Sequence, residues 1–568
     1  MRRVTTSTMR TRLAGTAAGG LVGLLAAGTA IGVGELLAAA VRPQSSPVIA
    51  VGGAAIDRTP RPLKEFAIRQ FGENDKHVLL AGIFVTLALF AVVVGIVARR
   101  RPVLGVLGIL LFGVVGAAAA LSRPGAGIRD LFPSAIGAIA AAGALLLLIR
   151  PLRSPAAEVT PAQDAVPVAA GTRAGGGTGT LVDPGRRGST RADGPGGNLR
   201  AELVGVDRKR GASLDRRGFL VTGAAVTAVA ALAGVAGRKL QGLRFDAAGS
   251  RADIRLPAAV SKAPALPSTV QVGVPGVSSF ITPNRSFYRV DTALVVPQLP
   301  ADTWQLKVHG MVDRELTIDF QTLLGRDLIE RDITMTCVSN EVGGTLLGTA
   351  RWLGAPLKAL LEEAGVHADA DQIVGTSSDG MTIGTPVSAV MDGRDAMLAV
   401  GMNGEPLPLE HGFPVRMIVP GLYGYVSSTK WLVDLELTTF DKVDPYWVKR
   451  GWVEEAPIKT SSRIDTPKPF AQLTTGEVAV AGVAWAQHRG IAKVEVRVDD
   501  GPWQPARLAA DPSSDLWVQW VYRWPATTGS HTLAVRATDR SGQTQVEQRT
   551  SPFPSGSTGW HSVVVTVS

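Results

Sequence analysis

Long apolar runs crowd the first part of the chain, and short alternating ones fill the rest. Four stretches, about 13–40, 78–98, 102–121 and 133–149, carry few charges and many Ala, Gly, Val and Leu residues. A helix needs about 20 apolar residues to cross a bilayer, so each predicts a transmembrane helix, the last being the shortest. A fifth apolar run, "SLDRRGFLVTGAAVTAVAALAGVAGRKL", covers 213–240. Between the fourth and fifth lies a stretch rich in Gly, Pro and Arg that has no aromatic residue and no helical period. That composition reads as a flexible linker. Its "AGGGTG" follows no strand and precedes no Gly-Lys-Ser/Thr, so it is not a phosphate loop.

From about residue 270 the period shortens. "WQLKVHGMV" (304–312) alternates as a strand does, and "RDITMTCV" (331–338) is a second apolar strand. "APLKALLEEAGV" (355–366) has helical spacing, with Pro356 at its first turn and Gly365 at its end. "FPVRMIVPG" (413–421) and "TKWLVDLELTT" (429–439) read as further strands. This mixture predicts an α+β domain. After 470 the pattern is all strands and turns, with Asp500-Gly501 and Ser541-Gly542 as turn signals. About one hundred residues of this predict an immunoglobulin-like sandwich without a disulfide pin. The predicted organisation is therefore an α-helical transmembrane region at 1–153, a cytoplasmic linker at 154–213, a fifth transmembrane helix at 214–240, an α+β domain at 241–455 and an all-β sandwich at 456–568.

Charge refines this picture. The 568-residue chain has a formal net charge of +10, but many of its arginines flank the apolar runs. Arg2, Arg3, Arg10 and Arg12 precede the first, Arg99-Arg100-Arg101 separate the second and third, and Arg150 and Arg153 follow the fourth. That placement orients helices in a bilayer and argues against a nucleic-acid partner. The positive-inside rule puts both ends of the four-helix unit in the cytoplasm, and the loop 42–77 outside. Basic residues in that loop count against the assignment. Its "PLKEFAIRQFG" carries a helical apolar stripe suited to a membrane surface or to the soluble domain. Arg216-Arg217 before Gly218-Phe219-Leu220 resembles a twin-arginine export signal set inside the chain. The competing reading is an ordinary basic flank of a membrane helix. The moderate apolarity of the run, and a topology that carries everything after 240 outside, favour export.

Cys337 is the single cysteine. It cannot form an internal disulfide or a Cys-rich zinc site, and there is no Cys-x-x-Cys-His for haem attachment. Such a residue is ordinarily a small buried apolar group. The sharper readings are a nucleophile or a metal-bound thiolate.

The block "TMTCVSNEVGGTLLGTARWLGAPLKALLEEAGV" resembles the sulfite oxidase family of molybdenum enzymes, and the likeness continues through "NGEPLPLEHGFPVRMIVPGLYGYVSSTKWL" into the sandwich. It covers about 270–568. It implies a molybdenum–molybdopterin cofactor with Cys337 as the protein's metal ligand, while the lone cysteine and the missing haem motif lead us to expect no zinc and no haem. It also implies a sandwich of the family's dimerisation type, hence a homodimer, a small-molecule substrate and a separate electron-transfer partner. Export through the twin-arginine route, which moves folded proteins, agrees with a cofactor inserted before crossing. The apolar runs, the charge topology and the twin-arginine-like pair together predict a chain in a bacterial cytoplasmic membrane, with its catalytic domain on the outer side.

The residues that match the family's pterin contacts are His411 and Arg416 in "HGFPVR", then Ser428, Thr429 and Lys430, with Asn284, Tyr288 and Arg289 in "NRSFYRVD" and Asp379 in "SSDG". Ser428 needs a one-residue shift, and the register at Asp379 is loose. Arg416 in an apolar strand needs a polar or anionic partner whatever its role. His411, Lys430, Trp352 and Trp431 each have a plain structural reading beside the functional one. Sulfite-oxidising members carry arginine shortly after the cysteine, where this chain has Glu341. A carboxylate there predicts poor sulfite oxidation, with Arg289 as the candidate catalytic cation and Arg351 or Arg450 as helpers. Sulfoxide-reducing members share the Asn284…Phe287-Tyr288 pattern, so reduction of an S- or N-oxide stands beside oxidation. Two other readings remain at this point: a Cys-nucleophile hydrolase, and a membrane-tethered scaffold or adhesion protein with a degenerate cofactor fold.

Overall fold

The computed structural model describes residues 2–60, 63, 66, 70, 75–123, 126–153 and 211–568. The linker 154–210 and most of "PLKEFAIRQFG" lie outside these residues. The chain divides into two compact units. One comprises Met1–Leu36, His77–Gly116 and Phe132–Ala236; the other comprises Leu37–Lys76, Ala117–Leu131 and Gly237–Ser568.

Among the described residues, five helices are long and apolar enough to cross a membrane: Thr16–Ala40, Val78–Arg100, Pro102–Leu121, Ile128–Leu152 and Gly218–Asp253. They coincide with the five apolar runs. Within the first unit, Val22, Ala26, Ala98, Leu145 and Leu148 form a buried cluster. Gly19 and Gly23 face Gly95 so closely that a Cβ on Gly23 would overlap the Ala91 carbonyl. Small residues permit this backbone approach, the usual way helices pack where lipid removes the hydrophobic drive.

The second unit holds two sheets over one core, followed by a two-sheet sandwich. The first sheet has the order β2 (Leu316–Asp319), β1 (Gln305–Gly310), β10 (Leu432–Thr438), β5 (Gln372–Ser377), β6 (Thr382–Pro386). Only the β1–β10 pair in it is parallel. The second sheet has the order β3 (Ile329–Thr336), β4 (Leu347–Pro356), β7 (Met397–Met402), β8 (Glu405–Pro406), and β9 (Arg416–Ile418) pairs with β7. Alternation explains β1, where Leu306 and Val308 turn inward and their neighbours outward. The helix Leu357–Ala364 buries Leu357, Leu360, Leu361 and Ala364, one face at helical spacing, and ends at Gly365 in the left-handed region. The strand expected over 413–421 is shorter, because Pro414 and Pro420 have no N–H to give to a ladder and only Arg416–Ile418 pairs.

In the sandwich, β11 (Ser461–Thr466), β13 (Gly476–Trp485), β17 (Val518–Ala526) and β16 (Arg507–Leu508) form one sheet. The other consists of β12 (Gln472–Leu473), β19 (His561–Val567), β18 (Gly529–Asp539), β14 (Ile491–Val498) and β15 (Gln504–Pro505). Inward residues of both, among them Val480, Trp520, Val494, Leu533 and Val565, share one core.

Candidate functional site

Cys337 follows β3, where the strand leaves the core for a tight loop. Its N–H donates to the Leu346 carbonyl at 2.9 Å and its carbonyl accepts from Asn340 N–H at 3.0 Å. Asn340 Oδ1 accepts from Leu346 N–H at 2.9 Å, closing the loop from inside. Cys337 itself is buried. Burial pushes its thiol pKa up, while the N–H and hydroxyl of Ser339 and the charge of Lys430 pull it down.

The sandwich grips this loop from the other side. Arg463 donates to the Gly344 carbonyl at 2.7 Å, Arg549 to the Val342 carbonyl at 3.1 Å, and Ser557 to the Asn340 carbonyl at 2.6 Å. Gly343, at φ +80°, rests against the His561 ring with no room for a Cβ. His561 Nδ1 accepts from Ile464 N–H at 3.0 Å. One strand earlier, Trp517 N–H and Gln487 Nε2 bind the Thr334 and Thr336 hydroxyls.

Facing the cysteine is a cationic group held by β9 and the turn after it. The Arg416 guanidinium is buried; its Nε donates to Ser428 Oγ at 2.8 Å and one terminal nitrogen to the His411 carbonyl at 3.3 Å. It lies over the Trp352 ring at 5.5 Å. Among the described residues it forms no ion pair, and burial pushes its pKa down to about 10. Lys430 donates to Asp291 Oδ2 at 2.8 Å, and the same carboxylate accepts from Arg289 Nε at 2.9 Å. Burial pushes Lys430 down to about 8 despite Asp291. Tyr288 has its hydroxyl pKa raised by burial and then by the charge of Cys337, with Arg416 opposing. His411 Nε2 meets the Asn284 carbonyl at 3.0 Å. Burial and Arg416 hold His411 near 4, so the ring is neutral and Nε2 is the donor.

The structure thus brings Cys337, Tyr288, Arg416, His411, Ser428 and Lys430 together. Thr429 is buried beside them, its Oγ1 without a partner. Asn284 belongs to the frame: its carbonyl orients His411, while its side chain binds Asn403, Glu405 and the Met402 carbonyl. The Asp379 carboxylate accepts from Met381 N–H at 3.2 Å and so closes its own turn. That turn is tied to Trp431 by Ser378 N–H at 2.8 Å. The residues missed there are Ser377 and Ser378, whose buried hydroxyls have no hydrogen-bond partner.

Three expectations change. Arg351 is committed to Asp332 by a paired contact at 2.8 and 2.9 Å. Arg450 faces Asp57. Glu341 lies exposed, and Arg549 adds a cation beside Val342, so the repulsive carboxylate expected at an anion pocket loses its force. Arg549 follows Cys337 by more than two hundred residues, outside any strand, and no local pattern pointed to it. Among the described residues no histidine hydrogen-bonds to Cys337: His309 meets Asp434, His367 meets Asp313 and His411 meets Asn284. That removes the geometric basis of a Cys-His hydrolase.

Residues 293–447 match the family described as oxidoreductase molybdopterin binding domain. Human mitochondrial sulfite oxidase is 29% identical over 306 residues, covering 45% of this chain and 55% of that protein. Inducible nitrate reductase 2 of Glycine max is 27% identical over 337 residues, covering 47% of this chain and 37% of that protein. The sulfane dehydrogenase SoxCD of Paracoccus pantotrophus is a solved structure with a TM-score of 0.45 and 22% identity, covering 51% of this chain and 84% of that one. The chain spans about half the length of the sulfite oxidases it matches. The family match and the sulfite oxidase and nitrate reductase relatives indicate a molybdenum cofactor on a pterin.

The residues fit such a group. Among the described residues, a buried guanidinium without a carboxylate and the unpartnered hydroxyls of Ser377, Ser378 and Thr429 are costly in a closed core. An anionic, oxygen-rich ligand such as a phosphorylated pterin satisfies both. A lone thiolate at the end of β3 suits a soft metal whose other ligands come with the cofactor.

Proposed function

From a chain that belongs to the sulfite oxidase family of molybdopterin oxidoreductases, we propose a membrane-anchored enzyme that moves one oxygen atom to or from a small sulfur- or nitrogen-containing substrate. The cofactor, when bound, supplies the two-electron oxygen-transfer chemistry. The residues of this chain hold and tune it. Cys337 is the metal's protein ligand; burial holds its thiol pKa up, and the two donors from Ser339 and the charge of Lys430 work against that. Arg416, Ser428 and Thr429, with the Ser377–Ser378 hydroxyls, take the anionic tail. His411, neutral and fixed by the Asn284 carbonyl, packs edge-on against Phe287 at 5.6 Å and so shapes the pterin slot. Lys430 and Arg289, bridged by Asp291, line the side nearer the cysteine. Tyr288 keeps its proton at ordinary pH and offers an O–H there. Arg289 is the cation to which an anionic substrate turns. Electrons pass to or from a separate carrier, and the immunoglobulin-like sandwich supports a homodimer. The five apolar helices anchor the chain in a cytoplasmic membrane of bacterial type, with the catalytic domain outside.

The carrying observation is the buried, uncompensated Arg416 within the charge field that also links Tyr288 and Cys337. Molybdenum and pterin measured in the purified full chain test it, together with kinetics on sulfite, methionine sulfoxide and trimethylamine N-oxide. Cys337→Ser is expected to abolish turnover and leave pterin bound. A protein free of both metal and pterin after expression in a cofactor-making host, or a serine variant with full turnover, sinks the reading. Absence of both would favour the degenerate scaffold.

A further inference from the structure

We propose that the two connections between the apolar helices, one through the helix Pro47–Arg58 and the other through Arg123 and Asp130, are a built-in partner of the oxidoreductase domain, pinned by Asp57 onto its 446–450 segment. Both loops fold within the same compact unit as residues 237–568.

The loops are first tied to each other. Arg42 makes a paired contact with Asp130 at 2.6 and 3.0 Å, and Asp130 also accepts from Gly127 N–H at 2.7 Å. Arg123 reaches back across the helix Pro47–Arg58 to Asp57 Oδ2 at 2.7 Å. It passes over Gly53, where a Cβ would stand 2.8 Å from the guanidinium. The other oxygen of Asp57 accepts from the Tyr446 hydroxyl at 2.6 Å and faces an Arg450 nitrogen at 3.5 Å. Arg450 in turn lies 3.5 Å over the Tyr446 ring. One carboxylate therefore joins Arg123 of one segment to the phenol and guanidinium of Tyr446 and Arg450 in another. The side chains of Asp57, Arg123 and Arg450 are 21%, 17% and 29% exposed, sheltered enough for these contacts to exceed the usual worth of a surface pair.

What the loops cover reaches inward to the site. Tyr446 packs edge-on against Trp447 at 5.0 Å and Trp447 edge-on against Trp452 at 6.2 Å, while Trp452 meets Tyr425 at a tilt at 5.5 Å. Tyr425 belongs to the 424–426 turn. Gly424 of that turn faces both the Thr336 carbonyl, next to Cys337, and the Tyr288 hydroxyl. The loops thus close the outer side of an aromatic layer whose inner side borders the candidate site. Arg450 acts as a docking residue and not as a substrate cation.

Hydrogen exchange on the full chain in a bilayer mimic tests this without reference to metal content. Amides of 47–58 and of 446–450 are expected to be protected together in the native protein. Asp57→Asn leaves two guanidiniums facing each other and is expected to speed exchange in both segments by about ten- to a hundredfold, while β3 and β13 keep their protection. Tyr446→Phe and Arg450→Gln each remove one arm of the contact and are each expected to speed exchange less than Asp57→Asn, which removes both. Exchange of 47–58 at the speed of an open chain in the native protein would overturn the proposal. So would an Asp57→Asn protein whose 446–450 amides are unchanged.

Discussion

A guanidinium buried without a carboxylate is expensive in the empty protein and useful only when an anion arrives. Arg416 is in that position: its contacts are a hydroxyl, a carbonyl and the face of Trp352. Breaking up a buried pair costs stability, but here no protein pair exists to be broken. Arg416→Met keeps the volume and removes the charge. We expect the cofactor-free protein to gain thermal stability, by about 2–4 °C per kcal/mol for a domain of this size, while retained pterin falls at least about tenfold for the loss of one charge-assisted contact. Thermal melts of the apo protein and pterin assays of the purified variant check the two halves. A variant that is less stable and still loads fully would mean that Arg416 serves the fold alone. The sequence showed Arg416 because a charged residue stood inside an apolar strand. It did not show Ser377 and Ser378, since serines beside a turn are ordinary until their hydroxyls prove to be buried and unpaired.

The loop from Cys337 to Leu346 is set by two domains at once, and this is where reading the chain in order falls short. Alternation made β1, β3, β10 and the sandwich strands legible, and the 3.6-residue period made the helix Leu357–Ala364 legible. Proline at 414 and 420 shortened a strand that pattern alone extended. No local pattern, however, joins Gly343 to His561 or Val342 to Arg549 across more than two hundred residues. Gly343 is strained for any other residue, because its φ of +80° is left-handed and its missing Cβ is filled by the imidazole. Gly343→Ala is expected to destabilise the full chain by about 1–2 kcal/mol from backbone conformation, with a further loss from the clash. His561→Ala should relieve the clash and leave the backbone part. A double-mutant cycle on denaturant midpoints then yields a favourable coupling of about 0.5–3 kcal/mol. Strict additivity would show that the sandwich does not press on the cysteine loop. The sandwich is thus a wall of the site as well as a candidate dimer surface, a role its strand pattern did not announce.

At the scale of the whole molecule, five apolar helices were evident from length and composition, and the structure places a helix at each. The side of the membrane on which residues 237–568 reside follows from charge, and two different readers of that charge are possible. The positive-inside rule counts lysine and arginine alike. The twin-arginine signal reads the guanidinium itself, whose planar five-donor fork lysine lacks. Replacing Arg216 and Arg217 together by lysine therefore separates the two. It leaves the charge before the fifth apolar run unchanged and removes only the forks. If the domain is exported folded with its cofactor inserted, the double variant is expected to keep residues 237–568 on the cytoplasmic side, protected from protease added to spheroplasts, while the native chain is cut. If ordinary insertion orients the helix, both proteins are cut alike, and the export reading fails while the anchor remains. Metal content of the exposed domain adds an independent check. A domain threaded unfolded across the membrane would meet its cofactor only outside, whereas one carried folded arrives with Cys337 already buried in its loop and the grip of the sandwich already closed.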